Sequence, residues 1–189
     1  PDWEALARLW ERALVTMEKF NLKVKLSKVV LCTRALSWCG RRISQEGVSI
    51  DPDRTRAVTD MPRPERLSEL MQFVHAGAWS RTFIPSGPYQ ETFGRLRRFL
   101  DEQLKGTDRT KRAASKRSLK TCGWNPTWEE VFDAAKNTLN EAIERPRAFY
   151  DPKKTVHVFT DASETYWGAA VHQGAAAITP GELDPLAFY

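Results

Sequence analysis

The chain is 189 residues long, 41% hydrophobic and 28% charged, which is the composition of a globular protein with one or two real cores and excludes a disordered polymer. No run approaches the roughly 18 uninterrupted apolar residues of a membrane span, and Pro1-Asp2-Trp3-Glu4 has neither the basic nor the apolar stretch of a signal peptide. Three cysteines (Cys32, Cys39, Cys122) with no C-x-x-C pair argue against a disulfide framework or a zinc site and fit reduced thiols in the cytosol or nucleus. The net charge of +5 sits in one place: residues 105–120 carry seven basic side chains against Asp108, so the rest of the chain is close to neutral. Without an initiator Met, the sequence reads as a piece of a longer protein.

Trp3, Leu6, Trp10, Ala13, Leu14 and Met17 recur at helical spacing, predicting an amphipathic helix over residues 3 to about 20 with one buried face. Val29-Val30-Leu31 and Leu36-Ser37-Trp38 are short β-prone runs, Gly40 and Gly47 are breakers, and Val48-Ser49-Ile50 alternates, so residues 29–50 read as a small antiparallel meander. Asp51-Pro52 is an N-cap followed by proline at the first helical position, opening a short helix that Pro62 and Pro64 terminate. Leu67, Leu70, Met71, Val74 and Ala78 line a second helical face. Tyr89, Phe93, Leu96, Leu100 and Leu104 line a third, with Arg95, Arg97 and Arg98 on its wet side.

The basic segment 105–120 contains Gly106, Ser115 and Ser118 and no apolar period, so it reads as a mobile loop, either a solvated linker or a contact for a polyanion. Thr127-Trp128-Glu129-Glu130 has the form of a capping box before a helix that turns Phe132, Ala135, Leu139 and Ile143 inward and stops before Pro146. Strands are expected at Thr155 to Thr160, Trp167 to Gln173 and Leu186 to Tyr189. No internal repeat, G-x-G-x-x-G, P-loop, H-E-x-x-H or G-x-S-x-G occurs, which removes support for the common small-molecule enzyme classes. Asp161, in Val156-His157-Val158-Phe159-Thr160-Asp161-Ala162-Ser163, ends a β-rich run. It is placed either as a turn residue bonding its own backbone or as a carboxylate presented to a metal.

In their order these pieces resemble the Pol polyprotein of gypsy-type long-terminal-repeat retrotransposons, from the end of the reverse transcriptase palm into RNase H. The marks are Leu22 to Lys28, Trp38-Cys39-Gly40, Gly47 to Pro52, Pro62-x-Pro64, and the helix from Leu67 to Trp79 running into Arg81-x-Phe83-Ile84-Pro85. Further on stand Trp124, Phe132, Thr160-Asp161-Ala162-Ser163, Gly168-Ala169, Gln173 and Pro185 to Tyr189. The resemblance implies an α+β fold: end of palm with a β-meander over 1–51, a helical thumb over 52–104, a basic linker over 105–123, a connection segment over 124–154, and the first strands of an RNase H-like mixed sheet over 155–189.

It also implies roles. Trp38, Cys39 and Gly40 stand where such enzymes carry the primer grip, a hairpin turn against the primer's 3′ end; a buried strand ending at a turn accounts for the same residues. Lys28 stands where related polymerases carry a lysine assigned to protonating pyrophosphate, although as one of several nearby lysines it also reads as a solvated face. Arg81, with Arg95 or Arg98, would touch the phosphates of a template-primer duplex or RNA–DNA hybrid, positioning it without reading sequence. Lys111, Arg112, Lys116 and Arg117 are candidate polyanion contacts by charge alone, in a basic loop longer than the family's usual linker. Asp161 matches the first RNase H carboxylate, one ligand of a two-Mg2+ site whose other ligands lie beyond this chain. Glu164, Glu182 and Asp184 match no ligand position.

Four departures from the family pattern stand out: Val29 replaces a cysteine, Cys39 a leucine, Ala78-Trp79 a tyrosine pair, and Tyr166 a glycine. The paired aspartates of a polymerase site are absent. The expected function is therefore part of an RNA-directed DNA polymerase and ribonuclease H, inactive by itself. A non-catalytic nucleic-acid-binding module is the alternative, and a plain interaction domain a third possibility. The sheet, ending after its third strand, is expected to keep an unpaired edge and an uncovered apolar face.

Overall fold

A computed structural model describes residues 2–106, 110–164, 167–177 and 182–189. Arg109 of the basic segment and Tyr166 lie outside the described residues. The chain divides into two compact units, Pro1–Arg34 and Ala35–Tyr189.

In the first unit, helix α1 spans Trp3–Lys19 and begins at Asp2, whose carboxylate accepts from Ala5 N at 2.9 Å. The predicted helix forms, but the buried face does not: no residue of α1 is buried, and Trp3 and Leu6 of that face remain 60% and 45% exposed. The cause is length. The rest of the unit is a single turn of 3-10 helix at Leu26–Lys28 and extended chain, too little to cover a 17-residue helix. Val29-Val30-Leu31, expected as a strand, pairs with no strand among the described residues and stays extended coil.

The second unit opens with the antiparallel meander β1 (Ala35–Trp38), β2 (Arg41–Ser44) and β3 (Gly47–Ile50). Trp38 pairs with Arg41, leaving a two-residue turn in which Cys39 (φ +50°) and Gly40 (φ +74°) are both left-handed. That backbone matches the right-handed twist of the flanking strands. Asp51 caps α2 (Pro52–Thr59) by accepting from Asp53 N at 3.0 Å, with Pro52 in the first turn as expected.

The core lies between α3 (Leu67–Ala78), α5 (Arg95–Leu104) and α7 (Pro126–Ile143). Phe73 packs on Phe93 at 5.4 Å and on Phe132 at 4.3 Å between ring centroids. Gly77 admits this packing, because a Cβ there would overlap the Phe93 ring. A short α4 (Ser86–Tyr89) runs through a π turn at Gln90–Gly94 into α5, and Tyr89, Phe93, Leu96, Leu100 and Leu104 are all buried, the face the periodicity predicts. Phe73 and Ala142 are buried where the sequence reading favoured Met71 and Ile143, which are only partly covered.

Two local expectations are corrected. Helix α7 starts two residues earlier than the capping box implied: Asn125, not Thr127, is the N-cap, its side chain accepting from Trp128 N at 3.3 Å, because Pro126 already supplies a preformed first helical residue. Residues 110–120, read as a loop, fold. Thr110 caps a one-turn helix α6 (Lys111–Ala114), Ala114 and Leu119 are buried, and Ser118 bridges to Arg66. Leu67 N donates to Arg117 O at 3.0 Å and Leu119 N to Glu65 O at 2.8 Å. Only two apolar residues anchor this stretch, too few to leave a period in sequence.

Strands β4 (Thr155–Ala162), β5 (Trp167–Gly174) and β6 (Asp184–Phe188) form the second sheet in that order. These three strands are wholly antiparallel, as their short connections require, and form only the first part of the sheet that the resemblance implies. Val156, Val158 and Phe159 of the edge strand β4 are exposed. The α+β class is as expected.

Candidate nucleic-acid interface

The Cys39-Gly40 turn is seated on the helices. Gly40 O accepts from Asp51 N at 3.1 Å, and the missing Gly40 side chain leaves room for Arg54 and Trp79, whose guanidinium and indole stack at 4.2 Å. Arg41, next to the turn, lies over Phe83 at 5.5 Å, and Arg81 lies over Tyr89 at 5.7 Å. Burial raises the Tyr89 phenol pKa, opposed by Arg81 and Arg97. The hairpin and the Arg81 turn, 40 residues apart in sequence, are thus joined by aromatic-backed arginines. Trp38 is 62% exposed at the tip of this arrangement. A cationic surface with an exposed indole and close backbone can meet sugar-phosphate.

On α5, Arg95 lies over Trp128 at 5.6 Å, and Arg97 faces Asp101 at 3.9 Å. Arg98 is exposed. Lys111, Arg112 and Lys116 are exposed on and after α6. Arg117 is different, being occupied within the fold: Nη1 donates to Gln103 O, and Nη2 to Gln103 Oε1 at 3.2 Å. Arg63 is likewise tied to Glu129 and Asp133, which raise its pKa.

Asp161 sits within β4, exposed, opposite Gly168, and its Oδ1 accepts from Ala162 N at 3.0 Å. No group of three His, Cys, Asp or Glu that could hold a metal occurs among the described residues. Asp161 is one donor where a divalent ion needs several, so the described residues do not make a magnesium site. Lys28 belongs to the first unit, in its 3-10 turn.

Two residues escaped the sequence reading. Gln173, a family mark with no assigned job, is 2% exposed: its Nε2 donates to Phe149 O at 2.7 Å, and its Oε1 accepts from Asp151 N at 2.8 Å. Arg147 is 7% exposed between Phe83 and Phe188, and burial with Arg41 nearby lowers its pKa to about 10. A polar residue in the run Pro146-Arg147-Ala148-Phe149-Tyr150 was the available signal, but polarity alone points to the surface.

No protein-family profile matches the chain. Among curated proteins it is 26% identical over 162 residues to the retrovirus-related Pol polyproteins from transposons opus and gypsy of Drosophila melanogaster. The matches cover 85% and 84% of this chain. It is 25% identical over 169 residues to the Gag-Pol polyprotein of walleye dermal sarcoma virus. The chain spans only 15% of the length of each Drosophila relative and 8% of the viral one. Among solved structures, a foamy viral protease-reverse transcriptase with double-stranded DNA superposes with a TM-score of 0.67 at 16% identity, covering 96% of this chain and 28% of that one. The same viral enzyme with an RNA/DNA hybrid gives 0.62 at 18%, covering 87% and 19%. The resemblance read from the motifs is therefore borne out: the chain is related to a segment of retroelement Pol polyproteins and has the fold of their reverse transcriptase and RNase H region.

Proposed function

We propose that this chain is the duplex-holding part of a retroelement reverse transcriptase, in which the Trp38-Cys39-Gly40 turn acts as a primer grip and residues 52–104 as a thumb. The observation that carries this is the seating of the turn on Arg54 and Trp79, with Arg41 and Arg81 backed by aromatic rings beside it. Arg81, Arg95, Arg98, Lys111, Arg112 and Lys116 meet phosphates. Such contacts hold a template-primer duplex or an RNA–DNA hybrid in register without reading its bases. Residues 105–123 link the thumb to a connection segment (124–154) and the start of an RNase H domain (155–189).

In the parent polyprotein the activity is RNA-templated DNA synthesis and hybrid degradation, with Asp161 the first RNase H carboxylate. Lys28 donates a proton to pyrophosphate there. Mg2+ is the cofactor of the assembled sites. No metal-dependent step is assigned to this chain, which contributes one carboxylate. The compartment is intracellular, where the three cysteines stay reduced; no helix among the described residues is long and apolar enough to cross a membrane.

The alternative, a non-catalytic binding module, is favoured by one feature: residues 110–120 are folded onto α3 and hold Lys111, Arg112 and Lys116 at the surface. Fluorescence anisotropy of a labelled RNA–DNA hybrid as a function of salt tests the shared claim. Each phosphate contact contributes about 0.7–0.9 to the slope of log K against log salt, so neutralising Lys111, Arg112 and Lys116 together lowers the slope by about 2–3. Binding indifferent to salt and to these changes would overturn both readings. Nuclease turnover by the isolated chain, lost in Asp161→Asn, would overturn the non-catalytic one.

A further inference from the structure

Arg147 follows Pro146 after α7, and its backbone is clamped to β3: Val48 N donates to Arg147 O and Arg147 N to Val48 O, both at 2.8 Å. Its guanidinium is held between two rings, 4.5 Å from the centroid of Phe83 and 5.0 Å from that of Phe188. Nη1 donates to Leu186 O at 3.3 Å. Nε and Nη2 are buried and have no partner among the described residues. These are the two nitrogens whose N–H bonds run parallel along one edge of the guanidinium plane, the edge that takes a carboxylate side-on through two bonds. A buried cation with that edge unmade is unfavourable, and Arg41 nearby adds repulsion that Tyr189 only partly offsets.

Arg147 also lines a cleft of about 80 Å³. Most of its other walls are apolar: Phe83, Ile84, Pro88, Ala142, Pro185 and Phe188. Glu141 and Arg145 are exposed charges on the same lining. Apolar walls around a buried charge, with a few convergent polar groups, are the general make-up of a small-ligand site.

We propose that this cleft binds a small monocarboxylate with an apolar body, its carboxylate paired to Nε and Nη2 of Arg147 and its hydrocarbon against Phe83, Phe188 and the prolines. One negative charge neutralises Arg147. A phosphate dianion would bring a second charge into apolar surroundings and face Glu141. Because Nε and Nη2 are shut off from solvent, entry requires Phe188 or Pro185 to give way. Both lie on β6, the outer strand of its sheet, whose other side is held by Ala148 N donating to Pro185 O at 3.0 Å and by Arg147 Nη1 donating to Leu186 O at 3.3 Å, so opening breaks these two bonds.

The test is titration of the whole chain with sodium propionate, with chloride and phosphate at matched ionic strength as controls, read on the arginine Nε–H resonances by 15N-edited NMR. A saturable shift of one Nε–H resonance with propionate is expected, absent from Arg147→Lys, which keeps the charge but loses the fork. If Arg147→Lys does not fold, Glu141→Gln serves instead: removing that charge tightens propionate by roughly threefold, the scale of one exposed charge pair. Shifts that track ionic strength alike in all three salts, phosphate binding as tight as propionate, or an affinity unmoved by Glu141→Gln would each overturn the proposal.

Discussion

Gly40 lies directly against Arg54: a Cβ at position 40 would stand 2.8 Å from Arg54 Cδ and 2.9 Å from Trp79 Cζ2, and the residue has φ +74°. The turn therefore depends on glycine twice, for the left-handed backbone and for the Arg54–Trp79 stack beneath it. Gly40→Ala adds about 1–2 kcal/mol of backbone strain and disturbs a cation–π contact worth about 0.5–1 kcal/mol at an exposed site. Urea unfolding should show a loss of roughly 1–3 kcal/mol from these two sources, together with weaker hybrid binding. An unchanged midpoint would mean that the Arg54 side chain swings away freely and the turn relaxes.

Gln173 supports a different junction. Its amide satisfies the Phe149 carbonyl and the Asp151 N–H, fixing the chain that enters β4 onto β5. Gln173→Ala strands both backbone groups, at about 1–3 kcal/mol for each one left buried. Hydrogen exchange at residues 149–151 and along β5 should accelerate, while amides of α3 and α7 keep their protection. Uniform loss of protection across all of these would show that Gln173 is part of the global core and not a local staple.

Lys116 and Arg117 are neighbours with opposite assignments. Lys116→Gln touches an exposed cation and should weaken hybrid binding with the melting temperature unchanged. Arg117→Gln removes the donors to Gln103 O and Oε1, where a hydrogen bond to a charged group contributes about 1.5–3 kcal/mol, and should lower the melting temperature. Parallel thermal melts and anisotropy on the two variants separate the roles. A destabilised Lys116→Gln would break the assignment.

The legibility of the fold follows the range of the forces involved. Helices α2, α3, α5 and α7 announced themselves because periodic burial and proline and N-cap signals are local, and the Cys39-Gly40 turn because its neighbours in sequence are strands. What stayed hidden was held by partners far along the chain. Residues 110–120 are ordered by backbone bonds to residues 65–67, Arg147 is buried by Phe83 and Phe188, and nothing adjacent to either marks it. The apolar stripe of α1 was legible as a stripe, but a period does not say how far it is covered, and within its unit Trp10, Ala13 and Met17 are only half-buried while Trp3, Leu6 and Leu14 are exposed.

His172 is expected to make the second sheet sensitive to acid. Its ring stands between Phe159 and Phe188, each 5.8 Å away edge-on, and its Nδ1 is buried without a partner among the described residues. Directly across the strand pair is His157, whose Nε2 lies 2.9 Å from Ala175 O. Burial, and then the facing His157, hold the His172 imidazole below its ordinary 6.5. A lowered pKa in the fold means that the unfolded chain binds the proton more readily. The contribution of a neutral His172 is thus fully present above pH 6.5 and is lost as pH falls through the lower folded value. Ordinary carboxylates titrate near about pH 4, so a comparison of pH 7.5 with about pH 5.5 isolates the histidines. Between those values β4, β5 and β6 should exchange amide hydrogens faster, after correction for intrinsic rates, while the α3–α5–α7 core is unaffected. His172→Gln should narrow the difference. An acid loss of the same size in His172→Gln as in the unaltered chain would place the sensitivity elsewhere.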